Sequence, residues 1–548
     1  MRKLIASSVL LCLGVAPTAA VVAQGFPTVQ APQGNPITAT KALLGKALFW
    51  DEQLSSTRTV ACATCHMPGS GGTDPRVRFP VAGQGGTVNP GPDARFGTSD
   101  DRIGSPGVPG NLSTGTYRST AWGLAPQVTG RKAPSMINAA FAPTLFWDGR
   151  ASAQFLDPIT RAPLLNTRAA LESQAAGPPV SEIEMGHVGI DWSQLESRLG
   201  NLTPLALAHE LPTDLAGFVA GRTYAQLFQL AFGSSGVSAA RVAMAIATYE
   251  RTLVSADSRF DRWDDGRNPQ WLSAQELRGR NVFFGRGNCN SCHSAPAFTD
   301  HNFHRLGLRP ETEDLGRFAV TGSNGDRGKF KTPTLRNVGL QRHFMHNGAL
   351  ASLEEVVEFY DRGGDFPPTQ INALGLSAQE KADLVAFLHA LTDERVRDEL
   401  PPFDRPRLFI ETDLVPAEYG FGSVGSGGFV QDLVSIEPAK LGNPRWTIGV
   451  ERGLGGAPAV LLLDFQPAPA GGLPVAGMTL FLGAQALVVV GVSTMAADGP
   501  GAGWSSLSLG IPSDVGLAGG QLFLQWISFD GAASLGLSAS EAVRVTLF

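Results

Sequence analysis

Cysteine is scarce in this sequence, with 5 among 548 residues, and histidine is little commoner at 9. A chain of this length with so few thiols is not a disulfide-built scaffold. An excess of charge is also missing. The balance of 43 basic against 49 acidic side chains leaves a net charge of −6, which gives no footing for nucleic acid or an anionic membrane surface. Long uninterrupted apolar runs are few. The uncharged stretch from Ala470 to Val492 is long enough to span a bilayer, but its internal Gly-Gly, Pro and Gly residues fit two strands and a turn better.

Hydrophobic residues make up 43% of the chain, enough for sizeable cores, and the length predicts two or three compact units. The 65 glycines and 38 prolines add long loops and turns around them. At the N-terminus, Arg2 and Lys3 precede an apolar run from Leu4 to Val15, and small residues end at Ala23. This reads as an export signal over residues 1–23, with an uncleaved anchor as the competing reading. Cys12 leaves with the signal, so the exported chain keeps four cysteines.

Those four occupy two copies of one pattern, "CATCH" at Cys62–His66 and "CNSCH" at Cys289–His293. Cys-x-x-Cys-His is the attachment signature of c-type haem. Two thiols on one helical turn reach the two vinyl groups, and the adjacent imidazole meets the iron from one face. Zinc pairs would lie within some tens of residues, whereas these are separated by more than 200. Bare disulfides would not require a histidine at the same offset twice. Two covalent haems are expected, and the weak repeat "LGKALFWDEQLSSTRTVACATCH" against "LRGRNVFFGRGNCNSCH" predicts tandem cytochrome c-like units.

Helical periodicity is clear in "VSAARVAMAIATYERTL" (Val237–Leu253), and "LSAQELRGRNVFF" and "LSAQEKADLVAFLHAL" both open with a Ser-x-x-Glu capping box. The Gly-, Pro- and Asp-rich stretch Pro68–Gly110 reads as a long surface loop. After residue 400 the pattern changes to apolar strands between Gly and Pro turns: "RWTIGVERG", "PAVLLLDFQP", "MTLFLG", "ALVVVGVS", "QLFLQWISF" and "AVRVTLF". The expected architecture is mainly α. A signal (1–23) precedes an N-terminal haem unit (24–190, with loop 68–110 inserted), a second haem unit (191–400) and a β-sandwich (401–548). The last unit has no Cys and no His, so redox chemistry is not expected there.

The second axial ligand decides between electron transfer and chemistry at haem iron. After His66 the next histidine is His187, which favours an open first iron. The second haem has His301, His304, His343, Met345, His346 and Tyr360 as candidate neighbours, and spacing alone does not choose among them.

From about Leu44 to Leu391 the chain resembles the bacterial di-haem cytochrome c peroxidase family, which includes MauG-type enzymes. The matching segments are "LGKALFWDEQLS", "CATCH", "APSMINAAFAPTLFWDGRA", "FDRW", "CNSCHSAPAFTD", "FKTPTLRNVGLQRHFMHNG" and "SLEEVVEFYDRGG", in the family's order. The resemblance implies a peroxidatic N-terminal haem and an electron-transfer C-terminal haem, with His66 and His293 on the irons. It places Trp147 between the haems, and it matches "QAAGPPVSEIEMG" to the distal pocket, giving Gln174, Pro178 and Glu184. Glu184 would then move a proton between the peroxide oxygens. Fourteen residues after His346, the peroxidase branch has a ligating methionine where MauG-type proteins have tyrosine, and this chain has Tyr360, with Met345 as the fallback ligand. Calcium is in doubt, because Lys132 stands where the family has an asparagine ligand; Asp93, Asp100 and Asp101 are substitute ligands to consider.

The resemblance thus implies a periplasmic peroxidase acting on hydrogen peroxide, supplied by a small cytochrome c or cupredoxin. MauG-like oxidation of a protein side chain and a non-enzymatic electron carrier are the alternatives. A homodimer is among the allowed assemblies.

Overall fold

The computed structural model describes residues 26–76, 88–89, 102–264 and 268–548. The export signal and Asp93, Asp100 and Asp101 lie outside these residues.

The first core is organised by a helix crossing. Helix α1 (Ala39–Phe49), capped by Thr38, lies across α3 (Ala239–Glu250), capped by Ser238, with α2 (Tyr224–Phe232) alongside. Leu44, Leu48, Phe228, Val242 and Ile246 are buried in it. The crossing is close because of one residue: a Cβ on Gly45 would lie 1.9 Å from the carbonyl oxygen of Ala245. The second core repeats the device. Helices α4 (Ala274–Phe284) and α6 (Ala378–His389) both carry the capping boxes read from sequence, at Ser273/Glu276 and Ser377/Glu380. A Cβ on Gly279 would lie 1.8 Å from the Asp383 carbonyl oxygen. Phe260, Phe283, Phe298 and Phe387 fill this core with ring centroids 5.2–6.4 Å apart, in edge-to-face or tilted contact. Helix α5 (Leu353–Asp361) packs on α6.

The change of core falls between Leu253 and Phe260, later than the 190/191 division read from the sequence. The physical reason is the crossing itself: the helices that cover α1, chiefly α3 with α2, lie beyond residue 190.

The two halves meet through matched loops. Asn138 and Asn337 both adopt left-handed backbone (φ 61° and 62°), as do Phe146 and Met345 (φ 64° and 68°). The Lys132 amide donates to the His346 carbonyl at 2.9 Å, and the Lys331 amide donates to the Trp147 carbonyl at 2.8 Å. Each half thus supplies one amide and one carbonyl to the other.

The long loop read over 68–110 ends in regular structure. Strand β1 (Pro106–Pro109) pairs with β2 (Pro126–Val128) as a short ribbon. The C-terminal region is β-rich. A five-stranded antiparallel sheet contains β3 (Ala417–Tyr419), β6 (Pro458–Asp464), β7 (Val488–Thr494), β9 (Gln521–Phe529) and β10 (Leu537–Thr546), in the order β7-β6-β9-β10-β3. A three-stranded sheet holds β4 (Asp432–Val434), β5 (Trp446–Gly455) and β8 (Gly499–Leu509) in that order. Trp446, Ile448 and Val450 from one sheet share a core with Leu461, Trp526 and Val543 from the other. Among the described residues, no helix is long and apolar enough to cross a membrane, and the 470–492 stretch contains short strands.

Gly45→Ala and Gly279→Ala should each lower the melting temperature by several degrees, since overpacking costs about 1–3 kcal/mol and backbone cannot move aside cheaply. Gly217, in the helix Thr213–Val219, has nothing within 4 Å of its Cβ position. Gly217→Ala should therefore leave the melting temperature unchanged or raise it. Calorimetry on the three variants checks the ranking.

Candidate functional site

Two cavities sit over the two cysteine motifs. The first, of about 340 Å³, is lined by Cys62, Cys65 and His66, and the second, of about 550 Å³, by Cys289, Cys292 and His293. Cys62–Cys65 is a single helical turn, and Cys289–Ser291 is a tighter turn, so each pair of thiols leaves the backbone from one short arc. None of the four is in a disulfide. Burial pushes the Cys62 and Cys289 thiols up to about 12, so both are neutral.

Both imidazoles are held the same way. His66 Nδ1 lies 3.3 Å from the Gly72 carbonyl oxygen, and His293 Nδ1 lies 3.0 Å from that of Phe298. A carbonyl accepts only from N–H, so the proton is on Nδ1 and the Nε2 lone pair is free for a metal. Burial lowers the pKa of both rings, which keeps them neutral as ligands must be. Two neutral thiols and one Nε2 donor at an apolar-walled cavity form a donor set that fits a c-type haem in each place.

Glu184, Gln174 and Pro178, distant from His66 in sequence, all line the first cavity. Gln174 ends the helix Ala170–Ala175, Pro178 opens the next turn, and Glu184 follows in a loop with its amide donating to Ser181 Oγ at 3.3 Å. Burial raises the Glu184 carboxyl above the ordinary glutamate range, opposed by the Arg150 guanidinium and Ser181. Among the described residues, His66 is the only histidine lining this cavity. His187 points to its own neighbour, with Nδ1 2.9 Å from the Val188 carbonyl.

Two residues that sequence reasoning passed over also line the first cavity. Arg150 stacks 3.6 Å above the Phe146 ring and bonds Asp148 at 2.9 Å. Glu250 is buried, and burial pushes its carboxyl up to about 8. Its signal was an acidic residue on the apolar face of the Val237–Leu253 helix; Arg150 lies inside the "FWDGRA" segment.

Trp147, Lys132, Pro134 and Ser135 line both cavities and form their common wall. The Trp147 indole N–H donates to the Lys132 carbonyl at 2.8 Å, and the ring meets His346 edge-on with centroids 6.4 Å apart.

In the second cavity the ligand candidates separate. Tyr360, Met345, His304 and His346 line it, whereas His301 and His343 do not. His304 Nε2 is 2.8 Å from Asp300, and His346 is stacked on Phe330 with centroids 3.6 Å apart. His304 Nε2 is thus engaged by a carboxylate, whereas stacking leaves the His346 ring nitrogens free to bind, so His346 lines the cavity as a candidate beside Tyr360 and Met345. Burial pushes the Tyr360 phenol well up.

Lys132 occupies an oxygen cage rather than a surface. Its ammonium donates to Gln341 Oε1 at 2.8 Å and to the His343 carbonyl, and burial lowers it to about 7. These oxygens are used by the ammonium, so the residues present do not fit a divalent cation there.

The family model for di-haem cytochrome c peroxidases matches residues 39–269. Methylamine utilization protein MauG of Methylorubrum extorquens is 32% identical over 380 residues, covering 68% of this chain and 84% of that protein. Cytochrome c551 peroxidase of Nitrosomonas europaea is 30% identical over 405 residues, covering 73% and 94%. Among solved structures, a MauG-like protein associated with microbial copper homeostasis is 27% identical, covering 70% of this chain and 98% of its own, with a TM-score of 0.49. With two thiols and a proximal-type histidine at each of two cavities, and relatives of both branches spanning most of their own length on it, this chain belongs to the di-haem cytochrome c peroxidase family of oxidoreductases.

Proposed function

We propose that the protein is an exported, periplasmic peroxidase that reduces hydrogen peroxide at the first cavity with electrons entering through the second. The observation that carries this reading is the first cavity itself: one histidine, and beside it a raised carboxyl, Glu184. In this reading Cys62 and Cys65 hold one haem and Cys289 and Cys292 the other, each by two thioether bonds. His66 and His293 would hold the irons through Nε2, and Tyr360 would also bind the iron of the C-terminal haem, with Met345 as the fallback. The first core, built on α1 to α3, carries the peroxidatic haem and the second, built on α4 to α6, the electron-transfer haem, and the C-terminal β-sandwich follows both.

Haem bound in the first cavity supplies the iron at which the O–O bond takes up two electrons. The chain's own residues handle protons and access. Glu184, as carboxylate, takes the proton from the near oxygen of peroxide and returns it to the far oxygen, so that the leaving oxygen departs as water. With two electrons and two protons, two waters result. Gln174 and Pro178 shape the entry beside it. Trp147, with its indole fixed by the Lys132 carbonyl, fills the gap an electron must cross between the cavities. The donor is a small cytochrome c or cupredoxin. Lys132 takes the place of calcium as the internal cation.

A second reading, MauG-like oxidation of a protein side chain, is favoured by one observation: a tyrosine, Tyr360, lines the second cavity.

Glu184→Gln should lower peroxide turnover with reduced cytochrome c by about 10²–10⁴-fold while haem content stays at two. In the parent protein kcat/KM should rise with pH through a carboxyl pKa above the ordinary glutamate range, and that limb should vanish in the variant. Turnover equal to the parent's would remove Glu184 from the mechanism. Tyr360→Phe should change the low-spin electron paramagnetic resonance signal of the second haem and leave the high-spin signal of the first unaltered. If neither signal moves, the ligand is Met345 or His346. Prolonged dialysis against a calcium chelator should leave both signals and turnover unchanged; loss of either would mean that a metal site exists beside Lys132.

A further inference from the structure

We infer that the C-terminal β region is a clamp that holds the Glu184-bearing segment at the first cavity, acting through the β1–β2 ribbon. The catalytic consequence of this inference rests on the role proposed for Glu184; the clamp itself does not.

The segment from Ser181 to Val188 is a loop, and Ile183 within it is exposed. Met185 anchors it to the first core, its side chain buried and its carbonyl accepting from the Ser56 amide at 2.7 Å, and residues of 108–127 hold it on the other side. The Val108 amide donates to the Ile183 carbonyl at 3.2 Å, Gln127 Nε2 donates to the Glu182 carbonyl at 2.7 Å, and the Val188 amide donates to the Asn111 carbonyl at 2.9 Å. Contact is close enough to demand glycine: a Cβ on Gly107 would lie 1.9 Å from the Ile183 carbonyl oxygen and 2.8 Å from the Glu184 Cα.

The ribbon cannot supply this rigidity alone. Its strands pair only at Pro106 with Val128 and Pro109 with Pro126, with an irregularity between. Three of these four residues are prolines without an N–H to donate, and isolated two-stranded ribbons are marginal in water. The far end of the ribbon is gripped by β5 and β8 instead. Glu451 accepts from the Leu124 amide at 2.6 Å, Thr447 Oγ1 donates to the Gly115 carbonyl at 3.0 Å, and Ser506 Oγ donates to the Tyr117 carbonyl at 3.1 Å. Tyr117 and Leu124 are buried against the bare backbone of Gly449, where a Cβ would lie 2.8 Å from Leu124 and 3.2 Å from Tyr117. Order therefore passes from a well-packed β core, through the ribbon, to the loop that carries Glu184. Glu451, Thr447 and Ser506 are positioning residues in this scheme.

The test is hydrogen–deuterium exchange by mass spectrometry on the full-length, haem-loaded protein, comparing Glu451→Ala, Glu451→Gln and Thr447→Val/Ser506→Ala with the parent. Glu451→Ala should speed exchange in peptides covering 104–112 and 181–188 by about five- to tenfold, the loss of roughly one hydrogen bond. Peptides covering 289–298 should exchange as in the parent. Glu451→Gln keeps an acceptor oxygen and should restore protection. If Glu451→Ala fails to fold, the double hydroxyl variant gives the same readout. Parent-like exchange at 181–188 in the variants that fold, or an equal rise at 289–298, overturns the clamp. Faster exchange at 181–188 with lowered peroxide turnover supports both the clamp and Glu184. Faster exchange with parent turnover supports the clamp and removes Glu184 from the chemistry.

Discussion

The arrangement of this protein depends on a reciprocal backbone exchange: the Lys132 amide to the His346 carbonyl, and the Lys331 amide to the Trp147 carbonyl. Each bond alone is worth only about 1 kcal/mol net, but a buried amide left without a partner costs about 1–3 kcal/mol. Breaking the exchange would strand donors in both halves at once, so it fixes their relative position. Trp147 and His346 are brought edge to face by the same contact, and Trp147 becomes a wall of both cavities. The lysine side chains repeat the pattern, Lys132 reaching the His343 carbonyl and Lys331 the Thr144 carbonyl. Burial lowers them to about 7 and 8. Burial thus disfavours each ammonium, and the carbonyl it meets on the opposite half offsets part of that cost.

Much of this was legible in the sequence because the chemistry leaves so little freedom. A thiol pair with an adjacent imidazole needs its spacing, and both copies lie on their own cavities. The six apolar runs after residue 400 all became strands. A further long strand, Gly499–Leu509, was not read, since "GPGAGWSSLSL" lacks the β-branched, apolar alternation that marks a strand; it forms because β5 offers a ladder along most of its length. The repeat preceding both haem motifs contains a glycine in each helix, Gly45 and Gly279, but only the packed structure gives its reason, a carbonyl of the partner helix 1.9 or 1.8 Å from its Cβ position. That α2 and α3, beyond residue 190, cover α1 is not readable from periodicity, which reveals an apolar face and not its partner. The lining set Glu184, Gln174 and Pro178 came from resemblance, while Arg150 and Glu250 carried only weak signals and needed the fold.

The two cavities differ in what surrounds their histidines. The first has acidic groups raised by burial, Glu184 and Glu250, and the Arg150 cation that restrains Glu184. The second has donor atoms, Tyr360 and Met345, with its other histidines bound to Asp300 or stacked on Phe330. A carboxyl raised by burial can both accept and return a proton, which peroxide reduction demands and electron transfer does not. A buried phenol is the converse: it keeps its proton unless a strong cation draws it off, which suits the ligand role proposed for Tyr360 and not a shuttle.

This asymmetry also explains why ordering a loop matters more at the first cavity. Ligands on helices, such as Tyr360 on α5, inherit the rigidity of the helix. A proton carrier on a loop does not, and a displacement of about 1 Å is enough to remove a hydrogen bond on which the transfer relies. The Glu184 loop lacks a helix beneath it, and the ribbon that touches it is rich in proline. Met185 ties one side of the loop to the first core, and the β region, with Trp446 and Trp526 fully buried, supplies a second packed core on the ribbon side. A region with no cysteine and no histidine thereby acquires a place beside a redox site through packing.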